Sequence, residues 1–278
     1  MTHSSTHGTC FTSATALRLF GIGFMLAILS LTGCTLFLRD TPTPIPTKST
    51  RISPNERTTT LIVFLPGRGG SMADFEKNGF LTILQEAGIK ADTIAVDSHL
   101  GYYIKRTVID RVWTDVLKPA HQQSYRRIVL VGVSLGGVGT LFSEREHPGA
   151  ANALVLLGPY LGDKQKVFER IAAAGGPAAW AAGRDLYADN VEEQIWTFLG
   201  AKSATLPPTW LLYGKNDSLA PGHRLLAGML PASHVASIDG AHDWPTWRAL
   251  WRNVCLNSDL FLVEKIPAAN HAPTGNRQ

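Results

Sequence analysis

Apolar positions along this chain fall into two alternating rhythms. Short, nearly unbroken apolar runs rich in β-branched residues occur at Thr58–Leu65, Ala91–Val96, Arg126–Val133, Ala153–Leu157, Thr209–Tyr213 and Val235–Ile238. Gly, Pro or polar residues bound each run, the pattern of a buried strand. Between them apolar residues recur at intervals of three and four, which predicts helices over about Met72–Ala87, Ile104–Leu117, Leu135–Glu146, Gly222–Met229 and Asp243–Asn253. Pro119 is expected to stop the second helix; Asp243 as N-cap and Pro245 in the first turn mark the start of the last. Strands alternating with helices imply an α/β class: a mainly parallel, doubly wound sheet covered on both faces. Functional groups in such a sheet gather beyond the carboxyl ends of the strands, which selects Arg68, Asp97, Ser134, Tyr160, Asp217 and His242. Residues 163–208 break the rhythm with two or three helical patches separated by Gly and Pro.

The two ends read differently from this body, which spans 58–257. Arg18 precedes an apolar run, Leu19–Leu31, shorter than the roughly 20 residues that cross a bilayer but suited to the core of an export signal. The run ends in Leu31-Thr32-Gly33-Cys34, which resembles a bacterial lipobox. That resemblance implies removal of 1–33 and lipidation of Cys34; an ordinary cleaved signal and an uncleaved anchor are the alternatives. Thr35 after the lipidated Cys, by resemblance to enterobacterial sorting, favours the outer membrane of the envelope over the inner. Residues 34–57, with Pro42, Pro44 and Pro46, are expected to form an extended tether, and 258–278 a loose tail.

Composition narrows the partners. With 278 residues, 45% hydrophobic and 17% charged, the chain can bury a full core. A net charge of +4 without a dense Lys/Arg run gives no support to nucleic-acid binding. Of three cysteines, Cys10 leaves with the signal and Cys34 takes lipid, so Cys255 stands alone as a core thiol and no structural disulfide is expected. No metal constellation and no phosphate loop occurs in the sequence, so no cofactor is expected.

The chemistry starts at Gly132-Val133-Ser134-Leu135-Gly136, a G-x-S-x-G between a predicted strand and a predicted helix, the context of a nucleophile elbow. A plain strand-to-helix turn with a capping Ser is the alternative. A Ser hydroxyl attacks only when a base takes its proton and a carboxylate orients that base. Downstream stand Asp217, in Gly214-Lys215-Asn216-Asp217-Ser218-Leu219-Ala220-Pro221, and His242, in Gly240-Ala241-His242. With Pro66-Gly67-Arg68-Gly69-Gly70 after the first predicted strand, these four signatures resemble the α/β-hydrolase family from about Thr58 to Asn253, and the order Ser, Asp, His is the family's.

The resemblance implies an α/β-hydrolase fold with 163–208 as a short helical cap. It makes Ser134 the nucleophile, His242 the base and then acid, and Asp217 its orienter. The oxyanion hole would be the N–H of Leu135 with that of Arg68, or alternatively Gly69; Pro66-Gly67 replaces the usual His-Gly there. Asp163 is the rival acid and His99 the rival base. Asp97, His99, Tyr102, Tyr160 and Trp244 are candidate pocket residues, and Trp180, Trp196 and Phe198 in 163–208 offer either an apolar pocket or a plain surface excursion. The expected activity is hydrolysis of a small-molecule or lipid ester through an acyl-enzyme. A thioesterase, amidase or peptidase on the same residues, and a non-catalytic scaffold lipoprotein, are the alternatives.

Overall fold

The computed structural model describes residues 39–261, apart from 53, 56–57, 124, 163–164 and 189. The expected signal, Cys34 and the rival acid Asp163 lie outside the described residues. In chain order the strands are β1 (Thr47–Arg51), β2 (Thr60–Leu65), β3 (Asp92–Val96), β4 (Arg127–Val133), β5 (Ala153–Leu157), β6 (Thr209–Gly214) and β7 (Val235–Ile238). The helices are α1 (Asp74–Lys77), α2 (Phe80–Glu86), α3 (Leu100–Ile104), α4 (Val108–Val112), α5 (Lys118–Gln122), α6 (Leu135–Glu146), α7 (Gln165–Ala173), α8 (Pro177–Ala181), α9 (Val191–Lys202), α10 (Ala220–Ala227) and α11 (Trp244–Asn257).

All six strands expected from the apolar runs form, and they pair in parallel in the order β3-β2-β4-β5-β6-β7. Because side chains alternate along a strand, each strand feeds two cores. Leu61, Val63 and Leu65 of β2 join the core shared with α3 to α6 and the cap helices, while Ile62 and Phe64 join the core under α1, α2 and α11. β4 lies in the middle of the seven-stranded sheet, so the elbow leaves from its central strand. In the second core Phe64 stacks on Phe75 at 4.7 Å, and Phe80 stacks on Trp251 at 5.5 Å. Such pairs are each worth about 0.5–1.5 kcal/mol beyond the area they bury. They hold α11, whose first turn follows directly on His242. Cys255 of the same helix is buried, in the position of a core thiol.

The tether expected over 34–57 is corrected from Thr41 onward. β1 pairs antiparallel with β3 at the edge of the sheet. Ile45 is buried, and its N–H donates to Asp115 Oδ2 at 2.8 Å. The polar sequence Thr47-Lys48-Ser49-Thr50-Arg51 carries no apolar alternation because an edge strand buries little of either face, and its prolines sit before the ladder, where no N–H is needed. The tail expected from 258 also starts late. Leu260 and Phe261 are buried, Phe261 packs edge-on to Trp251, and Arg127 donates to the Leu260 carbonyl.

Two predicted helices are divided. The stretch from Met72 breaks at Gly79, which takes φ 78° under the Arg248 side chain. The stretch from Ile104 breaks at Arg106, with φ 56°. Pro119 does not stop the helix that follows. Over Trp113–Leu117 the hydrogen bonds widen to a π turn, and the ring and missing N–H of Pro119 fall in the first turn of α5.

Candidate active site

The elbow is held by backbone bonds. Ser134 takes φ 53° and ψ −115°, a conformation that costs a non-glycine residue about 1–3 kcal/mol. Its N–H donates to the Leu157 carbonyl at 2.9 Å, and its own carbonyl accepts from Gly137 and Tyr160, both at 2.9 Å. These bonds keep the turn sharp and aim the side chain beyond the sheet. Gly132 and Gly136 allow the turn to close: a Cβ on Gly132 would lie 2.3 Å from the Gly136 carbonyl oxygen.

His242 comes from the loop after β7, and Asp217 from the loop after β6. Two bonds tie these loops together: Lys215 N–H to the Ile238 carbonyl (2.8 Å) and Asn216 N–H to the Gly240 carbonyl (3.0 Å). Asp243 caps α11 by accepting from Thr246 N–H at 3.0 Å, as expected from the sequence. The result is a row: Ser134 Oγ lies 2.9 Å from His242 Nε2, and His242 Nδ1 lies 2.7 Å from Asp217 Oδ2. A carboxylate only accepts, so Nδ1 carries the hydrogen, and Nε2 presents its lone pair to the Ser134 hydroxyl. The Asp217 side chain is fully buried. Burial favours its neutral form, but the hydrogen bonds from His242 and Leu219 outweigh burial and hold the carboxyl below its ordinary range. Asp217 also does the work of a turn residue, with Oδ1 accepting from Leu219 N–H at 2.8 Å.

The loop after β2 passes over Ser134. A Cβ on Gly67 would lie 3.2 Å from Ser134 Cβ and 3.8 Å from its Oγ. Gly70 N–H closes a tight turn on the Gly67 carbonyl at 3.0 Å, leaving Arg68 and Gly69 exposed at its tip. Leu135 is the first residue of α6, so its N–H has no acceptor within the helix.

The candidate pocket residues go to several places. Asp97 Oδ1 accepts from Met72 N–H at 3.3 Å, which anchors the loop beside Ser134. His99 is buried and caps α3 through Nδ1, accepting from Gly101 N–H at 3.2 Å. It is 4.9 Å ring to ring from Tyr102, whose hydroxyl donates to the Pro42 carbonyl. Tyr160 links the elbow to the cap, its hydroxyl donating to Glu192 Oε1 at 2.9 Å. Trp244 packs edge-on to Phe75, Phe80 and Trp247. Trp180, Trp196 and Phe198 are buried in the core they share with β2, β4 and α6, with Trp196 Nε1 donating to the Leu161 carbonyl. A cavity of about 430 Å³ opens beside β1, lined by Ser49, Asp92 and Tyr125 among others; β3 and β2 separate it from the strand that carries Ser134.

Three residues that the sequence did not single out for the site surround it. Trp247 stands edge-on to His242 at 4.9 Å and an interplanar angle of 88°. Gly158 takes φ 50°, and a Cβ there would lie 2.7 Å from Trp247 Nε1 and 3.2 Å from Asp217 Oδ2; the Gly-Pro closing β5 was the only hint. His223, on the helix that follows Asp217, is fully buried, with Nε2 donating to the Pro159 carbonyl at 2.8 Å and Nδ1 without a partner. Burial, opposed by the Pro159 bond and Asp217, pushes its pKa down from 6.5 to about 4. Between those values the unfolded chain binds a proton that the folded chain refuses, so stability falls as pH falls through this window. From pH 7.5 to 5 this one group costs roughly 2 kcal/mol. Urea unfolding at the two pH values should show that loss, and His223→Gln should flatten it; equal losses in both proteins would refute the assignment.

No family profile matches this sequence. Among solved structures, a ferulic acid esterase matches with a TM-score of 0.52 over 78% of this chain and 98% of its own, at 13% identity. Est1E from Butyrivibrio proteoclasticus matches at 0.52 over 76% and 90%, with 14% identity. These likenesses carry the fold. A 2-hydroxy-6-oxononadienedioate/2-hydroxy-6-oxononatrienedioate hydrolase from Comamonas testosteroni is 34% identical over 221 residues, 73% of this chain and 74% of that protein. With that relative, the parallel sheet and the sharp turn at Ser134, the chain belongs to the α/β-hydrolase family.

Proposed function

We propose that this protein is a lipid-anchored serine hydrolase that cleaves carboxylic esters through an acyl-enzyme. The observation that carries the reading is the row Ser134 Oγ, His242 Nε2, His242 Nδ1, Asp217 Oδ2, with gaps of 2.9 and 2.7 Å. In it Ser134 Oγ bonds to the acyl carbon as its proton passes to His242 Nε2. Asp217 stabilises the imidazolium, which then gives its proton to the departing alkoxide. Water repeats the sequence and frees Ser134. The N–H of Leu135 and that of Arg68, or of Gly69, receive the negative oxygen; removing one such donor costs roughly 3–4 kcal/mol of transition-state stabilisation. No cofactor enters these steps.

The anchor is Cys34 in Leu31-Thr32-Gly33-Cys34, and the place of work is the bacterial envelope, the outer membrane ahead of the inner. Cys34→Ser should release the protein to the soluble fraction, and equal membrane retention would reject the anchor. For the chemistry, a fluorophosphonate probe should label the wild-type protein and not Ser134→Ala. Persistent labelling of the variant, or none of the folded wild type, would reject Ser134 as nucleophile. The Comamonas relative favours a second reading, a small hydroxy-oxo acid as substrate. A panel of neutral esters, thioesters, amides and such acids separates the two by kcat/KM.

A further inference from the structure

Where the chain joins the domain determines what one edge of the molecule faces. β1 runs antiparallel to β3, so its first residue, Thr47, pairs with Val96 at the carboxyl end of the sheet, the end that carries Ser134. The residues before it stay on that edge. Asp97 N–H donates to the Pro46 carbonyl at 2.8 Å, Tyr102 Oη to the Pro42 carbonyl at 2.7 Å, and Lys105 Nζ to Thr41 Oγ1 at 2.7 Å. Packing against the domain thus starts by Thr41, seven peptide links after Cys34 in the sequence (41 − 34 = 7). Fully extended, those links reach at most about 25 Å.

The same edge carries an exposed apolar and basic tip. Ile104, the last residue of α3, is 56% exposed. Lys105 and Arg106 follow it, both exposed, with Arg106 at φ 56° turning the chain back toward α4. Neither forms an ion pair with a carboxylate among the described residues. An isoleucine beside two uncompensated cations suits the boundary of an anionic bilayer: the side chain enters the acyl region and the cations meet lipid phosphates. α3 also touches the elbow helix, since a Cβ on Gly139 of α6 would lie 2.5 Å from Tyr103 Oη. Three strand spacings, about 14 Å, separate β1 from β4.

We propose that the Ile104-Lys105-Arg106 tip and the Thr41–Pro46 segment seat the catalytic edge of the sheet on the anionic bilayer that holds the anchor, so that the site draws ester substrates from the membrane surface. This rests on the lipid-anchored esterase reading. The test uses the full-length lipidated protein in phosphatidylethanolamine/phosphatidylglycerol vesicles containing brominated lipid, with a fluorophore at Ile104→Cys or, as control, at Leu256→Cys. Leu256 is exposed near the far end of α11, toward the amino edge of the sheet. Bromolipid should quench the label at 104 several-fold more than the label at 256, and phosphatidylcholine in place of phosphatidylglycerol should weaken that quenching. The double variant Lys105→Glu/Arg106→Glu should lose at least about fivefold in turnover of a vesicle-embedded ester, with turnover of a soluble ester unchanged. Equal quenching at the two positions, indifference to lipid charge, or equal effects on both substrates would overturn the proposal. Failure of the anchor reading would show separately, as Cys34→Ser partitioning like the wild type, and failure of the esterase reading as no turnover of the soluble ester.

Discussion

Ser134→Ala is expected to lower kcat/KM on a soluble chromogenic ester by about 10⁴-fold or more while leaving the protein folded. The substitution removes only Oγ. The backbone bonds that define the elbow, from Ser134 N–H to Leu157 and from Gly137 and Tyr160 to the Ser134 carbonyl, remain. His242 keeps its bond to Asp217 and, at 27% side-chain exposure, can give its free Nε2 to water, so no buried group is stranded and Tm should move by only a degree or two. Asp217→Asn is expected to lose about 10⁴-fold by a different route. An amide can donate to Nδ1 and so favour the tautomer with hydrogen on Nε2, which cannot take the serine proton. The pair separates a catalytic row from a structural one. If Ser134 were only a capping residue, its loss would cost stability and spare turnover. Folded variants that retain wild-type kcat/KM would sink the triad.

What the sequence made legible follows from what each signal measures. The strands β2, β4, β5 and β6 are buried along nearly their whole length, and β3 and β7, though half-buried in part, keep their apolar residues against the two cores, so each appears as an apolar run whose limits fall close to the observed ones. The turn at Ser134 and the loops of Asp217 and His242 could be picked out because each follows a strand end, and the order of those ends along the chain was already implied by the alternation; the structure brings the three side chains into one row. β1 was not legible because an edge strand of Thr, Lys, Ser and Arg owes its place to backbone pairing with β3, which leaves no apolar trace. The split of the Ile104 helix was hidden for a related reason: Arg106 holds a positive φ that its residue type does not announce. Around the site, His223 and Trp247 matter through where their rings end up. Trp247 reads as core at helical spacing, and it is buried; only the fold places that buried ring beside His242.

The second large effect is expected at Gly136, where the reason lies in the backbone. Gly136→Ala places a methyl 2.1 Å from the Leu65 carbonyl oxygen, 2.7 Å from its carbon and 2.8 Å from the Pro66 carbonyl oxygen. No side chain stands there to rotate away. Relief requires the start of α6 to move off the end of β2, and those two segments carry the Leu135 N–H and the loop over Ser134. Overpacking a core costs about 1–3 kcal/mol when side chains yield; here main chain opposes main chain, and a loss above that range is expected. For a domain of this size it should lower Tm by roughly 10 °C or abolish folding. On the proposed mechanism, whatever folds should lose kcat far more than it raises KM, because Ser134 Oγ and the Leu135 N–H are displaced relative to the loop after β2. Gly69→Ala supplies the contrast, since a Cβ there meets nothing within 4 Å, and its stability should match the wild type within about 0.5 kcal/mol. Thermal unfolding of the two variants decides the matter: equal midpoints would mean that the close approach of α6 to β2 is not what forces glycine at position 136.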